Sequence, residues 1–174
     1  MVWVIDDDDF IVGMLGAATK LLQTHQDWFP RINAYRAEAA WKTGDWDMLD
    51  MATSLPMERS FDSFLSSAIA NIRRGDNLAA LSDITNARKD LMEQLATTSK
   101  ESFPHSHDFI LRLQMLHELE QSQIAWEKAQ REESPEPINE LRDTWKKQFL
   151  LLSPSYATRR PILELRQTIL FGLR

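Results

Sequence analysis

Apolar residues along this chain recur mostly at steps of three and four, the period of a helix with one buried face. Residues 9–23 carry Phe10, Ile11, Met14, Leu15, Ala18, Leu21 and Leu22 on one side and predict a first helix. Gly13 and Gly16 weaken its intrinsic helicity and leave room for a close neighbour. A second helix is predicted over 31–43, with Ile32, Tyr35, Ala39 and Ala40 sharing a side. A short third helix follows Asp45, with Trp46, Leu49 and Met51 or Ala52 inward. Ser60 suits the start of a fourth over 61–74, whose stripe is Phe61, Phe64, Leu65, Ala68, Ile69 and Ile72. A fifth, over 77–98, directs Leu78, Leu81, Ile84, Leu91 and Leu95 at the core. Helices over 107–131, 138–151 and 158–171 complete the series.

The breaks between helices have their own chemistry. Gly44 can close a helix because glycine enters the left-handed conformation cheaply. Asp45 can open the next by accepting backbone N–H bonds. The pattern returns at Gly75-Asp76, about 31 positions on, near the roughly 34-residue period of helical-hairpin repeats. Residues 132–137, Glu-Glu-Ser-Pro-Glu-Pro, form a polar loop broken by proline. Ser153-Pro-Ser-Tyr156 makes another break, and Pro161 fits the first turn of the last helix. The expected fold is all-α: an α-solenoid of antiparallel helix pairs, a single helical-repeat region over 1–174. Residues 1–8 are expected to be an acidic start without fixed structure.

Composition narrows the function. Five glycines in 174 residues are few for a fold built from tight hairpins. The absence of cysteine excludes a disulfide scaffold, Cys-ligated zinc and thiol catalysis. A net charge of −6 without a basic stripe argues against direct nucleic-acid binding, since Arg73-Arg74 and Arg159-Arg160 are only pairs. No apolar run approaches the ~18 residues of a membrane helix. The amino terminus lacks the basic start of a signal peptide. The expected setting is cytosol or nucleus.

Candidate chemistry is sparse. The glycine-rich loop, His-Arg-Asp and Asp-Phe-Gly elements of a kinase are absent. Di-metal helical bundles use Glu-x-x-His, but Leu22, Ser102, Pro104 and Gln114 stand three residues before the four histidines. His105 and His107 read as solvated or capping side chains in a loop. Asp6 to Asp9 read as a solvated acidic run favouring a helix start. In His117-Glu118-Leu119-Glu120, the polar residues read as the flank of a core stripe. Ser122-Gln123, a checkpoint-kinase target dipeptide, sits mid-helix and reads as incidental. Trp41, Trp46, Trp126 and Trp145 fall on predicted helices and read as packing residues. No catalytic, cofactor-binding or metal-binding residue is expected, and no cofactor.

Three strings carry a family resemblance. Tyr35-Arg-Ala-Glu-Ala-Ala-Trp-Lys42 is followed by Gly44-Asp-Trp-Asp47. Leu113-Gln-Met-Leu-His-Glu-Leu-Glu120 comes next. Ser155-Tyr-Ala-Thr-Arg-Arg-Pro-Ile-Leu-Glu-Leu-Arg166 is the strongest. In this order they resemble the FAT region of ATR-type serine/threonine checkpoint kinases, of the phosphatidylinositol-3-kinase-related family. Arg160 departs from the acidic residue common there. The family's further repeats, kinase domain and terminal FATC segment do not follow within the 174 residues, so a fragment is expected.

The resemblance implies a tetratricopeptide-like scaffold that carries no catalysis, braces the kinase domain and relays regulatory binding in the nucleus. The implied partner is protein, either the remainder of a large kinase or a regulatory subunit. An independent adaptor binding a peptide or partner helix is the alternative. Tyr35, Trp41, Trp46, Tyr156, Pro161, Leu165 and Arg166 are the structural or interface candidates. Among them, Trp41 and Trp46 would pack across Gly44, while Tyr156 and Pro161 would fix the turn into the last helix. An array cut mid-repeat exposes an apolar edge, here Leu163, Leu170 and Phe171, and self-association is expected.

Overall fold

The computed structural model describes residues 28–98, 103–151 and 155–172. The helix predicted over 9–23 and the run Asp6–Asp9 lie outside the described residues. Seven helices follow among those described: α1 (Phe29–Thr43), α2 (Trp46–Thr53), α3 (Phe61–Arg74), α4 (Asn77–Thr98), α5 (Phe103–Glu132), α6 (Glu136–Leu151) and α7 (Tyr156–Gly172). No strand occurs among the described residues. The architecture is the expected all-α helical solenoid. None of the described helices is long and apolar enough to cross a membrane.

The two predicted glycine junctions share one geometry. Gly44 and Gly75 both take φ +77°. Asp45 N–H donates to Ala40 O at 2.9 Å, and Asp76 N–H donates to Asn71 O at 2.9 Å. Each aspartate then caps the next helix: Asp45 accepts from Met48 N–H and Asp76 from Ala79 N–H, both at 3.0 Å. Two hairpins, α1–α2 and α3–α4, are therefore closed by the same device, which satisfies orphan carbonyls and amides together. Ser60 opens α3 with a capping box, exchanging bonds with Ser63.

A continuous core runs through the helices, with Leu49, Leu65, Ile69, Ile84, Leu91, Leu116, Leu119, Ile162, Leu165 and Ile169 fully buried. Alanines line the contacts between them: Ala37, Ala40, Ala52, Ala68, Ala80 and Ala87 are all buried. Their small side chains let helix backbones approach closely. α5 packs against α4, α6 and α7, and α7 returns to touch α1. There Thr168 Oγ1 donates to Trp41 O at 3.2 Å.

Several inward assignments differ from the sequence expectation. In α1 the buried residues are Asn33, Ala34, Ala37, Ala40 and Trp41, so Ile32, Tyr35 and Ala39 lie outside. Asn33 explains the choice. Its Nδ2 donates to Ala52 O at 2.7 Å and to Pro56 O at 3.3 Å, stitching α1 to α2 and the following turn. In α2, Ala52 is inward and Met51 is exposed. In α4 the core face is Ala80, Ile84, Ala87 and Leu91, which leaves Leu78 83% exposed and Leu81 exposed. α5 begins at Phe103, so His105 and His107 fall within a helix instead of a loop. The 132–137 loop is shorter than expected, because Glu132 ends α5 and Glu136 begins α6.

Nothing lies within 4 Å of a Cβ added to Gly75, so its substitution isolates the backbone term. Gly75→Ala should cost about 1 kcal/mol, and Gly75→Asn clearly less, as read from urea midpoints. Equal midpoints for all three proteins would contradict the left-handed cap.

Candidate functional site

The most organised polar arrangement lies where α5, α6 and α7 meet. Glu118 is fully buried on α5, one residue before the core residue Leu119. Arg166 reaches it from α7: Nε donates to Oε2 at 2.7 Å and Nη2 to Oε1 at 2.6 Å. Arg166 Nη1 donates to Trp145 O on α6 at 3.1 Å. Gln114 Nε2 donates to Glu118 Oε1 at 3.0 Å. The guanidinium also lies 5.2 Å from the Trp145 ring centroid and 5.8 Å from that of Phe149. A buried carboxylate is tolerable only with such a full complement of partners.

This arrangement is a lock and not an acid–base site. Both Glu118 oxygens are occupied by donors and shielded from solvent. The reading of Glu118 as a polar flank is thereby corrected; of that tetrad, only His117 is exposed. Glu120 is half-buried and pairs with Arg88 at 2.6 Å. Ser122 is also buried, with Oγ donating to Leu119 O at 2.6 Å, so the Ser122-Gln123 dipeptide is closed to an incoming enzyme.

The candidate residues named from sequence separate into interior and surface. Trp41, Leu165 and Arg166 are buried. Trp46 is half-buried rather than sealed, with Arg73 5.0 Å above its ring. It packs on the end of α7, where a Cβ on Gly172 would fall 2.0 Å from Trp46 Cζ2. A side chain at this position would have to displace the Trp46 ring. Trp41, Gly44, Trp46, Thr168 and Gly172 line one cavity of about 220 Å³. Tyr35 is exposed, and Tyr156 is 75% exposed with Arg160 5.9 Å from its ring. Tyr156 starts α7, which places Pro161 inside the helix and past its first turn. The first-turn role of Pro161 is corrected accordingly. Pro161 instead joins Trp41, Phe61 and Met115 around a cavity of about 310 Å³.

A second feature is an apolar groove of about 480 Å³ between α6 and α7. Trp145, Phe149, Leu163, Leu170 and Phe171 line it, with Arg142 and Lys146 at the rim. Phe171 is 76% exposed and Leu163 is exposed. Arg166 lines the same groove, so the buried lock forms part of its floor. Sequence reasoning named Leu163, Leu170 and Phe171 but missed Trp145 and Phe149 as their counterparts.

Elsewhere, burial pushes the Asp62 carboxyl above its ordinary range and the Glu38 charge adds to this. A raised folded-state pKa means ionisation costs stability above that value, and the loss is recovered as pH falls through it. Glu120 behaves oppositely. Its hydrogen bond from Arg88 holds it low, so its contribution is present above the unfolded value and lost as pH falls through the folded one.

Two outcomes follow. Arg166→Met, which strands Glu118 in the core, should cost about 3–5 kcal/mol, while adding Glu118→Leu should recover most of it. Urea denaturation of both variants decides; a double variant no better than the single would mean the pair is uncoupled. Asp62→Asn should raise the denaturation midpoint at neutral pH, and its advantage should shrink as pH drops through the carboxylate range. A gap independent of pH would exclude a raised Asp62.

Comparison with known proteins agrees with this geometry. Residues 33–171 match the FAT domain. The chain is 23% identical over 151 residues to the serine/threonine-protein kinase ATR of Arabidopsis thaliana, covering 78% of this chain and 6% of that protein. It is 24% identical over 148 residues to the ATR kinase of Oryza sativa subsp. indica, covering 76% of this chain and 5% of that protein. The serine/threonine-protein kinase TOR2 of Saccharomyces cerevisiae is 28% identical over 134 residues, covering 77% of this chain and 5% of its own length. No solved structure matches. The chain thus spans only a small part of the kinases it resembles, and it belongs to the FAT domain family found in ATR-type serine/threonine kinases.

Proposed function

We propose that this chain is a helical scaffold without catalysis of its own, which braces the kinase domain of an ATR-type kinase and relays regulatory protein binding to it. The setting is the nuclear DNA-damage checkpoint. The observation that supports this reading is the position of α7. Its outer residues Leu163 and Phe171 are exposed at a groove, while Arg166 on the same helix is locked to Glu118 in the core. A load placed on the groove therefore reaches α5 through a directional contact. The groove suits the remainder of the large kinase, or a regulatory subunit, as a protein partner.

The same groove favours a second reading, an independent adaptor that takes a peptide or partner helix between α6 and α7. The two differ in what fills the groove.

The test is capture of the C-terminal region of an ATR-type kinase by the tagged chain. Leu163→Asp with Phe171→Asp alters exposed positions and should lower capture by roughly tenfold or more at unchanged thermal stability. Undiminished capture would remove the groove from the interface. ATP-dependent phosphotransfer by the purified chain alone would overturn the scaffold assignment.

A further inference from the structure

The groove between α6 and α7 continues onto the next stretch of α6. Ile138, Arg142, Trp145 and Phe149 follow at steps of four, three and four, along one side of that helix. Trp145 and Phe149 line the groove facing α7. Ile138 lines a cavity of about 460 Å³ facing α5, together with Trp126 and Pro135. Arg142 belongs to both. The two hollows therefore join at Arg142 into one track along α6, about 16 Å long from Ile138 to Phe149.

The middle of this track carries one sign of charge. Arg142 is exposed and forms no hydrogen bond or ion pair among the described residues. Lys146, one turn on, lies 2.7 Å from Asp143 in an exposed pair that solvent screens. Arg166 is already answered by Glu118. Among the described residues, none that lines the α6–α7 groove is acidic, although the whole chain carries a net charge of −6. Glu133 brings a carboxylate only at the far end of the track, beside α5. The remaining walls of the groove are mostly apolar. A segment laid there in extended form would bury backbone amides and carbonyls with few partners, whereas a helix satisfies its own.

On the reading that the groove docks protein, we propose that its occupant is an acidic amphipathic helix of a separate regulatory protein. Its apolar row lies on Trp145, Phe149, Leu163 and Phe171, and a Glu or Asp beside that row meets Arg142. Arginine suits this role because its planar fork takes both oxygens of a carboxylate. The size of the track favours a regulator over the kinase body. A helical occupant of roughly three turns buries far less than the ~2,000 Å² and more of permanent complexes. An unpaired cation in the middle of the contact also fits an exchanging partner, because charge there sets specificity and association rate.

Two synthetic peptides serve as probes. One is a helix-favouring sequence with leucines at steps of three and four and glutamates beside them; the other has lysine at each glutamate. Fluorescence anisotropy with the whole chain should show the glutamate peptide binding roughly tenfold more tightly or better, against the sign of the chain's net charge. Arg142→Glu should remove or reverse that preference at an unchanged melting midpoint, since Arg142 is exposed. Leu163→Gln with Phe171→Gln, a change without charge, should abolish binding of the glutamate peptide. Equal binding of the two peptides, binding of neither, or a preference untouched by Arg142→Glu overturns the acidic partner. The groove still stands as a docking surface in those cases if Leu163→Asp with Phe171→Asp lowers capture of the kinase region. Glutamate-peptide binding that survives the Gln pair places the peptide elsewhere and overturns the inference. A dimer of the chain that the Gln pair disperses and the glutamate peptide does not displace assigns the groove to a second copy, which overturns it too.

Discussion

A carboxylate taken out of water must be answered by donors at fixed distances, and Glu118 imposes that demand on three helices. Apolar contacts in the rest of the core tolerate small slides and rotations, because burial is not directional. The Glu118–Arg166 pair does not. Arg166 meets both carboxylate oxygens and the Trp145 carbonyl with one planar guanidinium, so α5, α6 and α7 have one mutual arrangement that satisfies all of them. Lysine could not reproduce this geometry with a single ammonium. Net stabilisation from such a pair is small relative to a well-packed apolar replacement. Its contribution here is the fixed orientation of α7, and hence of the groove on its outer side.

The amino-terminal half reaches order by another route. Two hairpins close with the same glycine–aspartate device, and both glycines hold the same φ. Close helix approach through alanine then brings the backbone of one helix within reach of side chains from the next, as Asn33 does with Ala52 and Pro56. The contact between Thr168 and Trp41 ties this half to α7 across a wide sequence separation. Trp46 adds a second tie, because its ring occupies the space that a side chain at position 172 would need. The far end of the chain is thus held by both halves.

Helix positions and their caps were legible because periodicity and capping are local. Gly44, Asp45, Ser60, Gly75 and Asp76 announce boundaries through their own backbone preferences, and the structure uses each of them. Which side of a helix faces inward was less legible. Hydrophobicity selected Ile32 and Tyr35 on α1 and Leu78 on α4, whereas the core took the small residues beside them. An interior built on close backbone approach selects for size before hydrophobicity, and no single-helix pattern displays that preference. Glu118 was opaque for a related reason: a buried carboxylate is recognisable only through its partner, and Arg166 is remote in sequence. Even so, both residues fall inside the strings that carried the family resemblance.

The distribution of residues over the surface has a physical consequence. Asn33, Ser66, Glu118, Ser122, Gln123, Arg166 and Thr168 are buried, while Ile110, Ile124, Leu150 and Phe171 are exposed. For a self-sufficient domain this is partly inverted, because exposed aliphatic and aromatic area forgoes roughly 25 cal/mol per Å². In a helical array the same layout is economical. Interior polar groups fix the relative orientation of neighbouring helices, and apolar outer rows await the next layer. Ile110 and Ile124 recur on one face of α5, and Leu163 and Phe171 lie on α7 beside the groove. Exposed rows on separate helices require separate neighbours. Here those separate faces are joined by an interior that the Glu118–Arg166 pair keeps from slipping.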